Sequence, residues 1–315
     1  MINIQKNISL AQYTTFKIGG PASFFVVVKS EDDLKEALEY AKKNNLKCFI
    51  LGGGSNILVS DRGFDGLVIK IENDKCEIKG DKIVCEAGVS LSKIVSASVK
   101  NSLSGLEWAA GIPGTIGGAV RGNAGAFDAD ISQSVVLVRA IKEHDFGFEI
   151  VELENNNCEF EYRGSIFKKE KGWIITLIIL QLKQDSSEKC ANKVGEIIKK
   201  RLGSNPKYPS VGSIFKNSVN FNELKKCDKK MAEYITKNGI ANRMGNVSAG
   251  FLIDYLDLKG KKIGGAEISK EHGNFIINTG NATAEDVIIL ISLIKQKVRN
   301  KLGVQLAEEF QYVGF

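Results

Sequence analysis

Two glycine-rich segments are the part of this sequence best suited to bind a ligand. The first runs from Leu51 to Leu58 and contains three successive glycines followed by Ser-Asn. Residues without Cβ let several backbone amides approach one anion together, whereas a plain tight turn usually needs a single glycine. We therefore expect a diphosphate group to bind here. The candidate binding residues are Gly52, Gly53, Gly54, Ser55 and Asn56.

The second segment extends from Ala109 to Ala126 and consists largely of small residues. Such a stretch leaves room for a flat or extended ligand. It does not match the fingerprint Gly-x-Gly-x-x-Gly with an acidic residue about twenty positions later, so a nucleotide bound here would not be held by a Rossmann domain. The candidate binding residues are Gly111, Pro113, Gly114, Thr115, Gly117, Gly118, Asn123 and Gly125.

A strand–helix–strand pattern precedes and positions the first segment. Residues 24–29 are apolar and β-branched, which predicts a strand. Ser30, followed three residues later by Asp33, predicts the start of a helix that ends near residue 44. Residues 48–51 predict a short buried strand. The buried face of the helix is expected to contain Leu34, Ala37, Leu38 and Ala41.

The remainder of the chain predicts two further regions. Alternating runs at 82–86, 135–142 and 173–182, with a helix near 91–102, predict a second sheet. A charged helix near 187–202 then leads to residues 205–209, whose two prolines mark a boundary. Helices beyond it are expected near 229–238, 249–256 and 283–301. The buried stripe of the last one is predicted to be Val287, Leu290, Ile291, Ile294 and Val298.

Composition excludes several classes of protein. The chain has 315 residues, 43% of them apolar and 25% charged, as in a globular protein of two or three domains. Its 32 glycines accompany only four prolines, so low-complexity linkers are not the cause of the glycine excess. The net charge of +6 is spread along the chain among acidic residues. Nucleic acid binding is therefore a weak hypothesis. A small phosphate-bearing molecule explains this mild positive excess just as well.

Neither disulfides nor a metal site nor a membrane span is expected. The six cysteines form no Cys-x-x-Cys pair, and only His144 and His272 offer imidazoles, so free buried thiols are the simpler interpretation. No apolar run approaches the roughly 18 to 20 residues of a membrane span. Residues 1–7 also lack the apolar stretch of a secretory signal. We therefore expect a cytoplasmic protein.

The two glycine-rich segments and five further motifs, in their order along the chain, resemble the UDP-N-acetylenolpyruvoylglucosamine reductase (MurB) family. The two glycine-rich segments are similar to its FAD-binding fold, which is of the PCMH or vanillyl-alcohol oxidase type. Seven motifs in the family's order make the resemblance specific. Besides the two glycine-rich segments, they lie at residues 15–22, 162–165, 212–217, 264–278 and 303–309.

This resemblance implies an α+β protein with a two-lobed FAD-binding domain and a C-terminal α/β substrate-binding domain. Lobe 1 would comprise residues 1–71, to which residues 306–315 return. Lobe 2 would comprise residues 72–202, and the substrate-binding domain residues 203–305. The short spacing from Arg163 to Ser213 is similar to that of the type II branch of the family.

The implied reaction is the reduction of UDP-N-acetylglucosamine enolpyruvate to UDP-N-acetylmuramate by NADPH through FAD, in peptidoglycan precursor synthesis. A hydride goes to the vinyl carbon and a proton to the neighbouring carbon, so charge develops on the adjoining carboxylate. Arg163 matches the family's stabilising arginine, whose planar guanidinium group can form two parallel hydrogen bonds with a carboxylate. Ser213 matches the proton donor, which requires nearby groups that stabilise its alkoxide.

Glu309 matches the third catalytic position. A carboxylate next to the substrate carboxylate is expected to have a raised pKa and to donate a hydrogen bond to the developing enol. The family usually has Leu-Glu-x-Glu here, whereas this chain has Leu-Ala-Glu-Glu at residues 306–309. Register therefore favours Glu309, with Glu308 as the alternative.

Further matches imply how the substrate and cofactor are bound. Arg201 lies twelve residues before Ser213, where the family has a basic residue for the UDP diphosphate, although a solvated surface position is an equal alternative. Tyr162, Lys216 and Asn217 are the other implied substrate contacts. Neither glycine-rich segment contains His or Cys, so FAD is expected to be non-covalent. NADPH is the implied hydride donor, and a monomer without an obligate protein partner is expected.

Two other functions compete with this interpretation. An FAD-dependent sugar or alcohol oxidase or dehydrogenase of the same fold would share the glycine-rich segments but not the ordered motifs around Arg163, Ser213 and Glu309. A non-enzymatic nucleic-acid-binding module would need basic residues interleaved with aromatic ones. The Phe and Tyr residues of this chain lie mostly in apolar surroundings instead.

Overall fold

The computed structural model describes residues 2–144, 147–241 and 245–315, without the side chain of Cys227. The chain forms two compact units, each built from separated segments. Unit 1 contains Met1–Ile8, Ala22–Gly54 and Asp65–Gly203. Unit 2 contains Ser9–Pro21, Ser55–Phe64 and Ser204–Phe315. The division into two lobes and a substrate-binding domain at residues 71, 202 and 305 stays a prediction.

The described strands and helices have the following bounds. The strands are β1 (Gln5–Ser9), β2 (Pro21–Val28), β3 (Cys48–Leu51), β4 (Ile57–Val59), β5 (Phe64–Ile71), β6 (Cys76–Lys79), β7 (Lys82–Glu86), β8 (Leu103–Ser104), β9 (Gly125–Ala126), β10 (Ala129–Asp130), β11 (Val135–His144), β12 (Gly147–Glu154), β13 (Trp173–Gln181), β14 (Lys183–Gln184), β15 (Val219–Asn220), β16 (Asn246–Val247), β17 (Lys262–Ile263), β18 (Ala266–Ile268), β19 (Ile276–Asn278) and β20 (Gln311–Val313). The α-helices are α1 (Glu31–Lys43), α2 (Leu91–Lys100), α3 (Ile116–Arg121), α4 (Ile166–Lys169), α5 (Ser187–Ser204), α6 (Phe221–Cys227), α7 (Lys229–Asn238), α8 (Ala249–Tyr255) and α9 (Ala284–Leu302). Short 3₁₀ helices occupy Leu10–Tyr13, Glu107–Ala109, Ile131–Gln133 and Asn155–Cys158.

The first sheet of unit 1 has the strand order β1-β2-β5-β3, with β3 parallel to β5. Helix α1 begins as predicted, because the Ser30 side chain accepts a hydrogen bond from the Asp33 amide at 3.0 Å. The predicted strand–helix–strand pattern is confirmed, but the strand expected to be buried, β3, is buried only at Leu51. All four residues expected on the buried face of α1, Leu34, Ala37, Leu38 and Ala41, are buried.

The second sheet of unit 1 has the order β12-β11-β13-β7-β6, and its described pairs are antiparallel. Strands β7, β11 and β13 match the three alternating runs, and α2 matches the helix expected beside them. Helix α3 was not predicted, because glycines disfavour helices. It forms because the Thr115 side chain accepts from the Gly118 amide and Gly117 packs closely on Ala87.

Unit 2 has its own apolar core, in which α9 is the longest helix. Thr283 and Asp286 close a capping box at its start, and Gly303 ends it at φ 68°. Strand β20 pairs with β4 in parallel, and β17, β18 and β19 form an antiparallel sheet. The predicted buried stripe of α9 is confirmed at Val287, Leu290, Ile291, Ile294 and Val298.

The cysteines differ from the expectation in one respect. Cys85, Cys158 and Cys190 are buried free thiols, but Cys76 is only partly buried and Cys48, the first residue of β3, is exposed. Cys227 lies outside the described side chains. Within the described ranges, no helix is long and apolar enough to cross a membrane. The same residues contain no group of three or more His, Cys, Asp or Glu side chains placed to hold a metal ion.

Candidate active site

Within unit 1, residues 52–53 of the first glycine-rich segment pack against residues 114–115 of the second. A Cβ added to Gly53 would lie 2.5 Å from Gly114 Cα, and one added to Gly52 would lie 2.8 Å from Thr115 Oγ1. Both separations are shorter than real Cβ contacts, so glycine is required where Gly53 meets the backbone of Gly114 and where Gly52 meets the Thr115 side chain. The structure therefore brings together two segments that the sequence marked separately.

Lys70 supports the first segment from β5, a role that sequence reasoning missed. Its ammonium group donates to the Gly52 carbonyl at 3.0 Å and to the Ile71 carbonyl at 3.4 Å. Burial lowers the pKa of Lys70. The only sequence signal was a lysine inside the otherwise apolar run from Leu67 to Ile71.

Arg163 belongs to a loop of unit 1 with an uncommon backbone conformation. Its φ is 58°, a region that non-glycine residues rarely adopt and that is enriched at functional sites. The guanidinium donates to the Gly125 carbonyl at 2.7 Å and lies 5.0 Å from the centre of the Tyr162 ring. The structure therefore brings three of the predicted site residues together.

Asn123 also contacts the loop that contains Arg163. Its side-chain amide donates to the Glu161 carbonyl at 2.9 Å and accepts from the Ser132 amide at 3.2 Å. Asn123 is buried, and Glu161 in turn exchanges two backbone hydrogen bonds with Gly164 across Arg163. The geometry thus gives Asn123 a structural contact with the Arg163 loop. Its predicted contact with the cofactor stays a prediction.

Arg201 is half-buried at the end of α5 and is therefore not a fully solvated side chain. Its guanidinium donates to the Trp108 carbonyl at 3.1 Å and lies 5.2 Å from the centre of the Phe127 ring. Burial lowers its pKa. Its Cδ atom lies 3.1 Å from the place where a Cβ on Gly111 would be, so the second glycine-rich segment approaches it closely.

Ser213 and Glu309 are carried by two segments of unit 2 that pair with each other. The Glu309 amide donates to the Ile214 carbonyl at 2.9 Å, and the Lys216 amide donates to the Ala307 carbonyl at 2.9 Å. Phe215 and Glu308 face each other at the antiparallel bridge between them. The predicted proton donor and the third catalytic position therefore lie on adjacent chain segments, although many residues separate them in sequence.

Asn56 joins the same pair of segments. Its amide group donates to the Glu309 carbonyl at 3.4 Å, and its own carbonyl accepts from the Gln311 amide at 3.0 Å. Strands β4 and β20 begin their parallel pairing immediately afterwards, at Ile57 and Gln311. The end of the first glycine-rich segment thus runs beside Glu309.

Glu308 is engaged elsewhere. Its carboxylate forms an ion pair with Lys295 of α9, with Nζ 2.9 Å from Oε1. Of the two adjacent glutamates, Glu308 is therefore held by a helix of unit 2. The assignment of Glu309 to the catalytic position stays a prediction.

The predicted site residues are divided between the two units. Asn217 is exposed, and its side-chain oxygen accepts from the Ala249 amide at the start of α8 at 3.1 Å. Unit 1 contains Gly52, Gly53, Gly54, Gly111, Pro113, Gly114, Thr115, Gly117, Gly118, Asn123, Gly125, Tyr162, Arg163 and Arg201. Unit 2 contains Ser55, Asn56, Ser213, Lys216, Asn217 and Glu309.

Two features of unit 1 suit ligands that carry phosphate groups, among them a dinucleotide cofactor such as FAD. The first is the close packing of Gly53 on Gly114 and of Gly52 on Thr115, which excludes other side chains from the junction of the two glycine-rich segments. The second is a pair of orphaned donors, since Trp108 Nε1 and Arg201 Nε are the two buried side-chain polar atoms without a partner in the described part of the chain. A buried donor without an acceptor is uncommon and often marks a site that a ligand completes.

The fold and this site define an FAD-binding protein with a separate C-terminal domain. Residues 22–144 match the family model described as an FAD binding domain. Residues 205–313 match the model of the C-terminal domain of UDP-N-acetylenolpyruvoylglucosamine reductase. The chain belongs to the UDP-N-acetylenolpyruvoylglucosamine reductase family, as the ordered motifs predicted.

Whole-chain comparisons agree with the two family models. A UDP-N-acetylenolpyruvoylglucosamine reductase of Caldanaerobacter subterraneus subsp. tengcongensis is 38% identical over 310 residues, which cover 98% of this chain and 93% of the relative. That of Bacillus subtilis is 36% identical over 311 residues, with coverages of 98% and 93%. The crystal structure of the Thermus caldophilus reductase (MurB) matches with a TM-score of 0.78 at 32% identity, covering 99% of this chain and 100% of the other. The predicted α+β class with an FAD-binding domain is confirmed.

Proposed function

We propose that this protein reduces UDP-N-acetylglucosamine enolpyruvate to UDP-N-acetylmuramate with NADPH, a step in the synthesis of peptidoglycan precursors. Support comes first from relatives that carry this reductase name and align with nearly the whole chain. The observation that carries the proposal is the pairing of residues 214–216 with residues 307–309, which places the Ser213 and Glu309 segments side by side. A sugar or alcohol oxidase has no need of that arrangement, so the family and the site both favour the reductase.

FAD, when bound, supplies two-electron transfer between NADPH and the substrate. The two glycine-rich segments would hold it through their backbone amides, and the close approach of Gly53 to Gly114 keeps the two segments together. Lys70 fixes the Gly52 carbonyl and so orients the neighbouring amides. Both segments lack His and Cys, which supports non-covalent binding.

Arg163 is the proposed stabiliser of the substrate carboxylate. As electrons enter the double bond, negative charge builds up on that carboxylate, and a preorganised guanidinium lowers the energy of this state. One Nη atom is already held by the Gly125 carbonyl, which limits the motion of the fork. Preorganisation matters because no reorganisation is then needed during the reaction.

Ser213 is the proposed proton donor and Glu309 the proposed hydrogen-bond donor to the enol. The Ser213 proton goes to the carbon that bears the carboxylate, and water restores the proton to the serine afterwards. Glu309 is preferred to Glu308 because it occupies the family's position in the motif, and the Glu308 carboxylate forms an ion pair with Lys295.

The UDP part of the substrate is proposed to contact Tyr162, Arg201, Lys216 and Asn217. Arg201 combines positive charge with a half-buried position, which favours a diphosphate because burial strengthens electrostatic attraction. We further propose that the protein acts in the cytoplasm, where NADPH and UDP-sugars are made, and that it acts as a monomer. Sedimentation of the purified holoenzyme tests the last point.

The test of the proposed function follows the two halves of the reaction separately. Purified protein should be yellow, and NADPH should bleach the flavin absorbance under anaerobic conditions. UDP-N-acetylglucosamine enolpyruvate should then restore the absorbance and yield a product heavier by two hydrogen atoms in mass spectrometry. Bleaching that is reversed only by oxygen and not by this UDP-sugar would overturn the proposal and favour an oxidase.

A further inference from the structure

The segment that carries Ser213 is held along both of its edges. On one edge lie the hydrogen bonds between residues 214–216 and residues 307–309 described above. Because those two bonds flank the pairing of Phe215 with Glu308, the amide and the carbonyl of Phe215 point away from the 307–309 segment. Phe215 is fully buried, so its two backbone groups need partners from the protein.

Asn274 supplies both partners. Its Oδ1 atom accepts from the Phe215 amide at 2.9 Å, and its Nδ2 atom donates to the Phe215 carbonyl at 2.8 Å. A primary amide has an acceptor and a donor side by side and therefore pairs with a peptide group as a neighbouring strand would. The Asn274 carbonyl also accepts from the Ile214 amide at 2.8 Å. Three hydrogen bonds thus join one buried residue to the two residues that follow Ser213.

The same amide reaches a second part of unit 2. Asn274 Nδ2 lies 3.5 Å from Asn217 Oδ1, which accepts from the Ala249 amide at 3.1 Å. Asn274 itself has no exposed surface, so water does not compete for these contacts. Residues 214–217 are therefore tied by Asn274 to the start of α8 as well as to their own neighbours.

We propose that Asn274 is a positioning residue for Ser213, which fixes the direction of the serine hydroxyl by holding the peptide groups after it. The inference rests on the proposed function of Ser213. In that step the O–H bond of Ser213 breaks, a C–H bond forms at the carbon bearing the carboxylate, and the electron pair comes from the enol. The serine oxygen then takes a proton from water.

We expect the Asn274 contacts to affect flavin reoxidation by the substrate and not flavin reduction by NADPH. Proton transfer requires the two heavy atoms within about 2.6–3.2 Å of each other. A displacement of about 1 Å can slow such a step on the order of 10²-fold. Reduction of the flavin by NADPH does not use the Ser213 hydroxyl. A residue that merely stabilises unit 2 would instead change both halves together.

The first experiment compares Asn274→Ala with Asn278→Ala in the FAD-loaded protein. Asn278 is the matched control, because it is also a buried asparagine whose amide bonds backbone groups, at Phe16, Gly280 and Ala282. Stopped-flow absorbance measures flavin reduction by NADPH and flavin reoxidation by the enolpyruvyl substrate. We expect Asn274→Ala to slow reoxidation about 10²-fold while reduction stays within about twofold of wild type. Asn278→Ala should leave the ratio of the two rates unchanged.

The second experiment uses Asn274→Asp and pH. When protonated, the introduced carboxyl both accepts from the Phe215 amide and donates to its carbonyl, as the native amide does. When ionised, it loses the donor, and burial raises its pKa because the charged form is disfavoured. Reoxidation by this variant should therefore be rapid below that pKa and fall towards the Asn274→Ala rate as pH rises. The wild-type rate, followed over the same range, corrects for other titrating groups.

The outcomes separate the inference from the proposed function. If wild-type protein is not reoxidised by the UDP-sugar, the proposed function fails. If wild type turns over but Asn274→Ala is reoxidised at the wild-type rate, the positioning role is wrong. Equal slowing of both halves, or a wild-type-like pH profile for Asn274→Asp, also overturns it. The aspartate variant at low pH keeps the test decisive should Asn274→Ala fail to fold.

Discussion

Lys295 Nζ lies 2.9 Å from Glu308 Oε1, so the first of two adjacent glutamates is tied to helix α9. The family motif assigns the catalytic position to Glu309 and not to Glu308, and we propose to test that assignment by replacing each glutamate in turn. Since Glu308 is engaged in a partly exposed ion pair, its removal has a small energetic effect, about 0.2–1 kcal/mol. The catalytic consequence of removing Glu309 is expected to be much larger.

We therefore expect Glu309→Gln to lower the turnover number by about 10²- to 10⁴-fold, the usual contribution of an acid or base. Glu308→Gln should stay within about threefold of wild type, because only a surface ion pair is lost. Steady-state turnover is measured alongside flavin reduction by NADPH, which both variants should retain. A slow Glu308→Gln variant beside a fast Glu309→Gln variant would reverse the assignment.

Replacement of Arg163 tests whether its planar fork is needed and not only its charge. Arg163→Lys keeps a positive charge but loses two-point contact with a carboxylate. Turnover should fall by about 10²- to 10³-fold, as when one preorganised donor to a developing charge is removed. The control is Arg139→Lys, since Arg139 forms an exposed ion pair with Glu152 on the second sheet of unit 1. Comparable losses in both variants would indicate a general effect of arginine replacement.

Alanine at Gly53 should push the two glycine-rich segments apart, because its Cβ would lie 2.5 Å from Gly114 Cα. We expect unfolding free energy to fall by about 1–3 kcal/mol, as in overpacked sites. FAD affinity should fall at least about tenfold, equivalent to about 1.4 kcal/mol. Fluorescence titration of released FAD and denaturant unfolding measure the two effects.

Gly195 provides the matched control for that substitution. It lies inside α5 with no atom within 4 Å of an added Cβ. Gly195→Ala should therefore stabilise the protein by about 0.5–1 kcal/mol and leave FAD binding unchanged. Normal FAD binding by Gly53→Ala would show that the close approach of the two segments is not needed for the cofactor.

Loss of the Lys70 ammonium should weaken FAD binding through the Gly52 peptide. Lys70→Met keeps the length of the side chain but leaves the Gly52 carbonyl without this donor. A hydrogen bond to a charged group contributes about 1.5–3 kcal/mol. We expect FAD affinity to fall on the order of tenfold. Lys93→Met, which breaks only the exposed pair with Asp74, should bind FAD like wild type.

Several helices and strands could be predicted from the sequence, because the residues that specify them are close together in the chain. The start of α1 follows from Ser30 and Asp33, and the stripe of α9 follows from apolar residues at helical spacing. Helix α3 was missed, since glycine normally disfavours a helix and the close packing of Gly117 on Ala87 is a tertiary effect. Local patterns thus predicted most of the long helices and several strands, but they missed α3 and also the short helices α4 and α6.

For the site, the sequence by itself determined which residue types are present and in which order, and that order was enough to place the chain in its family. Only the tertiary structure decided that residues 214–216 pair with residues 307–309, that Lys295 engages Glu308, and that Lys70 and Asn274 support the two site segments. The physical reason is that these are hydrogen bonds and ion pairs between distant residues. Their geometry depends on how complete elements pack, which local sequence patterns do not encode.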